Sequence, residues 1–223
     1  KDEHGDVHHV KPTAVSLSQT SETGAVYTLD EITAITAVAH EHGLKVHMDG
    51  ARLANSVAAL GCTPAEMTVK AGIDVLSFGA SKNGAFAAEA VVMFTPGLAD
   101  EFAYRRKRGG HLFSKMRFLA IQFETYLKDG LWLKMAGHAN DCMKTLAQGL
   151  SEIGDVELLF PTNANMLFAR LPNTMIEGLR SAGFAFYDWP AEERSIIRLI
   201  TAFNTDKADT EAFVAEARRL SNQ

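Results

Sequence analysis

Through roughly its first hundred residues the chain alternates strand-like runs with helical stretches, which restricts it to an α/β layer with a largely parallel sheet. Ala14–Gln19 alternates apolar and polar residues as a strand does. Thr20–Tyr27 is a polar, glycine-containing loop. Thr28-Leu29-Asp30-Glu31 opens a helix, with Thr28 as N-cap and Glu31 three residues on. That helix runs to about His42 and stops at Gly43. Leu44–Met48 is a short apolar strand ending at Asp49, and Ala51–Leu60 is helical up to Gly61. Thr63-Pro64-Ala65-Glu66 begins another helix, with Thr63 as cap and proline at its first position. Ile73–Phe78 and Ala90–Phe94 are the next strands.

Beyond this layer, Ser114–Ile153 reads as helix with a break near Asp129-Gly130. Val156–Phe160, Met166–Leu171, Phe184–Tyr187 and Ile196–Ala202 are strand-like, with helices over Thr174–Ala182 and Lys207–Leu220. The pattern predicts a large domain over residues 1–133 and a smaller α+β domain over residues 134–223. There are no internal repeats and no low-complexity tract.

The 223 residues are 47% hydrophobic and 22% charged, ample for a core. A net charge of −5 argues against a nucleic-acid or membrane-surface partner. The basic cluster Arg105-Arg106-Lys107-Arg108 is too short to change that. It reads as a solvated helix end which, beside Gly109-Gly110, could also hold an anion. Cys62 and Cys142 lack metal-ligand spacing and read as free thiols in a reducing cytoplasm. No apolar run approaches the roughly 18 residues needed to span a bilayer, and no secretory signal is visible. Lys1–Asp6 reads as the middle of a polar loop, which predicts a piece of a longer polypeptide.

Two residues follow strand ends. Asp49 closes one strand, and Lys82 sits after another in a loop of small residues, Gly79, Ala80, Ser81, Gly84 and Ala85. Ligands of open α/β sheets sit outside the carboxyl ends of strands. An amine there, with an acid nearby, is what a pyridoxal 5′-phosphate site needs: the lysine condenses with the aldehyde and the aspartate keeps the pyridine nitrogen protonated. Small neighbours permit close approach of a planar ring, and Ser81 can donate a hydrogen bond to a phosphate. Taken singly, each has a plainer role: Lys82 a surface lysine, Asp49 a cap on the Ala51–Leu60 helix, Arg52 a helix-surface residue. Arg198 lies in the apolar run Ser195–Ile200, where a guanidinium needs a partner, either a bound carboxylate or a core acid. His47 shares a strand face with Asp49 and reads as support, not as a base. His8-His9 and His40-Glu41-His42 read as solvated, and no metal site is expected.

His47-Met48-Asp49-Gly50-Ala51-Arg52 followed by Ser77-Phe78-Gly79-Ala80-Ser81-Lys82-Asn83-Gly84 resembles the low-specificity L-threonine aldolases, pyridoxal phosphate enzymes of aminotransferase fold type I. The resemblance continues through Gln19–Gly24, Gly109-Gly110, Met116-Arg117 and Ile197-Arg198-Leu199. It implies that Lys82 carries the cofactor, Asp49 pairs with the ring nitrogen and Arg52 lies beside the phenolic oxygen. Gln19 and Thr20 would sit near the ring, and Arg198 would bind the substrate α-carboxylate. Arg106 or Lys107, with Arg117, would reach a neighbouring subunit's active site in a homodimer or homotetramer. The implied reaction is retro-aldol cleavage of L-threonine or L-allo-threonine to glycine and acetaldehyde. A β-eliminating lyase or an aminotransferase of the same fold is the alternative, as is an inactive fragment that needs a further segment. The chain matches the later part of such an enzyme, so the ring-stacking histidine and much of the phosphate loop are expected in an N-terminal segment outside it. Family members often carry a histidine at the position of Ser21 or Glu22; this chain has none, so no catalytic base is assigned.

Overall fold

The computed structural model describes residues 8–189 and 195–222, so the polar opening Lys1–Asp6 lies outside it. Strands β1 (Ala14–Ser18), β2 (Lys45–Gly50), β3 (Val75–Gly79) and β4 (Glu89–Met93) form one sheet in that order. β1 pairs with β2, and β2 with β3, in parallel; β3 pairs with β4 antiparallel. The expected parallel sheet is therefore present with one antiparallel edge. A parallel return needs a crossover of about a dozen residues or more, and the connection from Gly79 to Glu89 is too short for one.

Helices α1 (Leu29–Glu41), α2 (Leu53–Leu60) and α3 (Pro64–Met67) connect these strands. The capping box of α1 is closed both ways: Thr28 Oγ1 accepts from the Glu31 amide at 3.2 Å, and Glu31 Oε2 accepts from the Thr28 amide at 2.8 Å. Thr63 and Glu66 repeat it on α3. α2 begins two residues later than the sequence pattern suggests. Asp49 Oδ1 takes the Ala51 amide at 2.9 Å, and Arg52 sits at φ −126°, ψ 26°, so neither Ala51 nor Arg52 enters the helix.

α4 (Phe102–Arg108) buries no residue, and the basic cluster forms its last turn. α5 (Arg117–Leu127) and α6 (Leu131–Ser151) are separated where expected, at Asp129 (φ 52°) and Gly130 (φ 71°). Strands β5 (Glu157–Leu158), β6 (Met166–Arg170), β7 (Tyr187–Asp188) and β8 (Ile196–Ile200) make a second sheet, all antiparallel, in the order β5-β6-β8-β7. Helices α7 (Asn173–Ser181) and α8 (Lys207–Ser221) pack with it. The expected strand Val156–Phe160 pairs only over Glu157–Leu158, and of Phe184–Tyr187 only Tyr187 joins a strand, with Asp188; β5 and β7 are the sheet's short edges.

Two cores result. One gathers Ile32, Val46, Met48, Leu76 and Phe78 with Tyr126, Trp132 and Ala136. The other gathers Met143, Leu150, Leu167, Ile197 and Phe213. α6 contributes to both, so the boundary expected at residues 133/134 falls inside one helix. Among the described residues no helix is long and apolar enough to cross a membrane. Cys62 and Cys142 are both free thiols.

One buried carboxylate ties the layer together. Asp74 is 4% exposed and accepts the Val46 amide at 2.8 Å, Lys45 Nζ at 3.1 Å and the Thr95 hydroxyl. His40 Nε2 lies 2.9 Å from Asp74 Oδ2, so His40 is not the freely solvated residue expected from its surroundings in sequence. Burial alone would push the Asp74 carboxyl up, but the hydrogen bonds from Thr95, His40, Val46 and Lys45 hold it well below the ordinary carboxylate range. A depressed carboxyl stabilises the fold above its unfolded value of about 3.9, and that stabilisation is lost as pH falls through and below it. Asp74→Asn is expected to destabilise the protein by about 2–3 kcal/mol at neutral pH. Denaturant melts at pH 7 and pH 3 check this: the gap between parent and variant should narrow at the lower pH.

Candidate active site

The parallel pairing of β2 and β3 puts Asp49 opposite Ser77 and Gly50 opposite Phe78, with both strands ending at the same side of the sheet. Gly50 is buried there. A Cβ on it would come 2.6 Å from Leu76 Cδ1 and 2.9 Å from the Ser77 carbonyl oxygen, so only glycine lets the strands close beside Asp49.

After β3 the chain makes a single 3₁₀ turn, Ser81–Asn83, which turns Lys82 outward and Asn83 inward. Asn83 is 4% exposed and donates both amide protons, to Tyr126 Oη at 2.7 Å and to the Trp132 carbonyl at 2.9 Å. Burial pushes the Tyr126 phenol up to about 12, so it stays neutral. Phe78 packs beneath against the rings of Phe123, Tyr126 and Trp132 at 5.7, 6.3 and 5.8 Å between centroids. The Lys82 amine itself is exposed and has no hydrogen-bond or ion-pair partner among the described residues.

Lys82, Asp49, Arg52 and Gln19 line one polar pocket together with Thr20, Glu22 and, from the second sheet, Met166. Five residues singled out in the sequence, Thr20 among them, are thus brought together. The Asp49 carboxylate is oriented by the Ala51 amide and is otherwise exposed. Burial lowers the affinity of the Arg52 guanidinium for its proton, and the charge of Arg198 adds to this, while Glu22 and Asp49 oppose it. Arg52 Nε is buried without a partner among the described residues. Gln19 is wholly buried and both ends of its carboxamide are engaged by the Tyr27 backbone, at 2.9 and 3.1 Å. These bonds tie the strand end that leads to Thr20 and Glu22 to the Tyr27 backbone.

Arg198 comes from β8. Its Nε donates to Met166 Sδ at 3.1 Å, and its guanidinium carbon lies 5.6 Å from the centre of the Trp189 ring. No carboxylate pairs with it among the described residues, which removes the core ion pair as its partner there. Three other candidates lie off the pocket lining. Ser81 Oγ accepts the Ala88 amide at 3.1 Å, tying the lysine loop to its return. Arg117 is exposed at the start of α5, over the Phe118 ring at 4.8 Å, and Lys107 is exposed on α4. His47 bridges Ser16 Oγ at 2.8 Å and Ser77 Oγ at 2.9 Å, linking three strands.

Sequence reasoning missed Met166 and Glu22 as wall residues and Asn83 as the anchor of the lysine turn. Asn83 carried a usable signal, an amide beside the lysine in a loop of otherwise small residues. Met166 carried none, being an ordinary apolar strand residue.

Gly50→Ala is expected to cost about 1–3 kcal/mol through overpacking between β2 and β3. It should loosen Asp49 before it unfolds the chain. A thermal melt, with amide exchange over residues 45–50, measures both effects.

The Beta-eliminating lyase family model matches residues 1–172. A low specificity L-threonine aldolase from a Pseudomonas species is 44% identical over 215 residues, covering 96% of this chain and 62% of that protein. The enzyme of the same name from Pseudomonas aeruginosa is 46% identical over 201 residues, covering 90% of this chain and 58% of that protein. Among solved structures, the threonine aldolase of Leishmania major superposes with a TM-score of 0.90 at 33% identity, over 96% of this chain and 63% of that one. The chain therefore spans about three-fifths of the length of these relatives. The aminotransferase-type fold expected from the motifs is the one observed, and the chain belongs to the beta-eliminating lyase family.

Proposed function

We propose that this chain carries the lysine-bearing part of an aldolase that cleaves L-threonine, L-allo-threonine and related β-hydroxy-α-amino acids. The observation that carries the reading is the convergence of Lys82, Asp49 and Arg52 on one pocket. These residues fit pyridoxal 5′-phosphate: an oriented carboxylate and, among the described residues, an untied amine and a buried guanidinium nitrogen without a partner. The aldolases from Pseudomonas and Leishmania major support the choice of substrate class.

When bound, the cofactor supplies an electron-poor ring that takes up the electron pair of the broken Cα–Cβ bond. Lys82 would hold the cofactor through its amine. Asp49 would keep a proton on the ring nitrogen, and Arg52 would balance negative charge on the phenolic oxygen. Arg198 would grip the α-carboxylate and so orient the substrate for cleavage of its Cα–Cβ bond. The β-hydroxyl loses its proton as acetaldehyde leaves, and a proton delivered to Cα gives glycine. A cytoplasmic homo-oligomer is the setting we assign, supported by two unpaired thiols and by the motif resemblance.

Lys82→Ala should abolish both the absorbance of bound cofactor and aldol cleavage; retained turnover overturns the assignment. Arg198→Leu should raise KM for L-threonine by about two orders of magnitude. Incubation with a keto-acid acceptor distinguishes an aminotransferase, which would transfer the amino group where an aldolase releases acetaldehyde.

A further inference from the structure

The three segments that bear the site are each fastened to the same face of α6 by a buried polar side chain. Next to Lys82, Asn83 donates to the Trp132 carbonyl at 2.9 Å. On the helix that follows Asp49 and Arg52, Asn55 is 3% exposed; its Nδ2 donates to Asn140 Oδ1 at 3.0 Å and approaches the Ala136 carbonyl at 3.5 Å. Asn140 returns a bond to the Asn55 carbonyl at 2.9 Å. Just past β8, which carries Arg198, Thr201 is 3% exposed and its Oγ1 donates to the Ala139 carbonyl at 2.7 Å.

The points of attachment on α6 are residues 132, 136, 139 and 140. Steps of four, three and one keep them on one stripe of a helix, and residues 132–139 span about 10 Å of its length. Helical carbonyls keep a second lone pair free for such donors while holding their own i+4 amide. Each donor is buried, so it cannot exchange its partner for water without cost. Packing alone would hold these segments near α6 while allowing them to slide; a directional bond from each fixes its register along the helix.

We infer that α6 sets the spacing of the site, with Asn83, Asn55 and Thr201 as positioning residues for Lys82, for Asp49 with Arg52, and for Arg198. The inference rests on the roles given to those residues above. It predicts separable defects. Asn83→Leu should slow capture of pyridoxal phosphate at Lys82, read as borohydride-trapped adduct, by about tenfold, and leave glycine affinity of the loaded chain near the parent value. Thr201→Val should do the reverse, weakening glycine binding by about tenfold with capture unchanged, and Thr201→Ser should restore binding. In the free chain, deuterium uptake should rise over residues 80–88 in Asn83→Leu and over residues 196–202 in Thr201→Val. Parent-like values in both variants, or equal losses in capture and binding that merely follow the thermal midpoint, overturn the inference. Should the parent chain capture no cofactor, the functional reading fails, and the local deuterium pattern still decides whether α6 holds the three segments in register.

Discussion

The register of β2 against β3 is the constraint on which the rest depends. Side chains alternate along a strand, so Val46 and Met48, both wholly buried, force His47 and Asp49 to the opposite face. A slip of one residue would drive Asp49 into the core and bring Met48 out beside Lys82. The apolar set fixes the site indirectly, by leaving the polar set only one place to go. Gly50 closes the arrangement, because the strands meet there too tightly for any side chain.

The site is also a balance of charge. Lys82 and Arg52 share one small pocket with Asp49 and Glu22, and the charge of Arg198 acts against that of Arg52 from outside its lining. Burial disfavours the Arg52 charge, yet Asp49 and Glu22 support it, and Arg198 leans on a thioether and an indole where an acid would otherwise stand. Such an arrangement accepts an anionic ligand readily: a carboxylate or phenolate entering it relieves repulsion already present between the guanidinium groups.

Much of this was legible in the sequence because it is local. The capping boxes at Thr28 and Thr63 and the break at Asp129-Gly130 are written within a few residues, and each was found where the pattern puts it. The placing of Asp49 and Lys82 just past strand ends followed from the same alternation. What escaped depends on distant partners. The antiparallel turn of β4 follows from the length of a loop, and the shortness of β5 and β7 from their position at a sheet edge. His40 looks solvated until Asp74 is brought beside it, and Asn83 looks like a loop residue until Tyr126 and Trp132 arrive from the helices. Gln19 lines the pocket, but nothing in sequence shows that Tyr27 folds back to engage both ends of its amide.

The embedding of α6 in both cores bears on how the two halves can be exchanged or opened. A helix shared by two apolar clusters couples them, so parting one from the other would expose apolar surface of both. Any chimera that swaps the C-terminal layer with that of a relative inherits half of the other layer's packing along with it. The sensible crossover point lies upstream, in the Lys128–Gly130 turn, where Asp129 has already broken the helical path and little is buried.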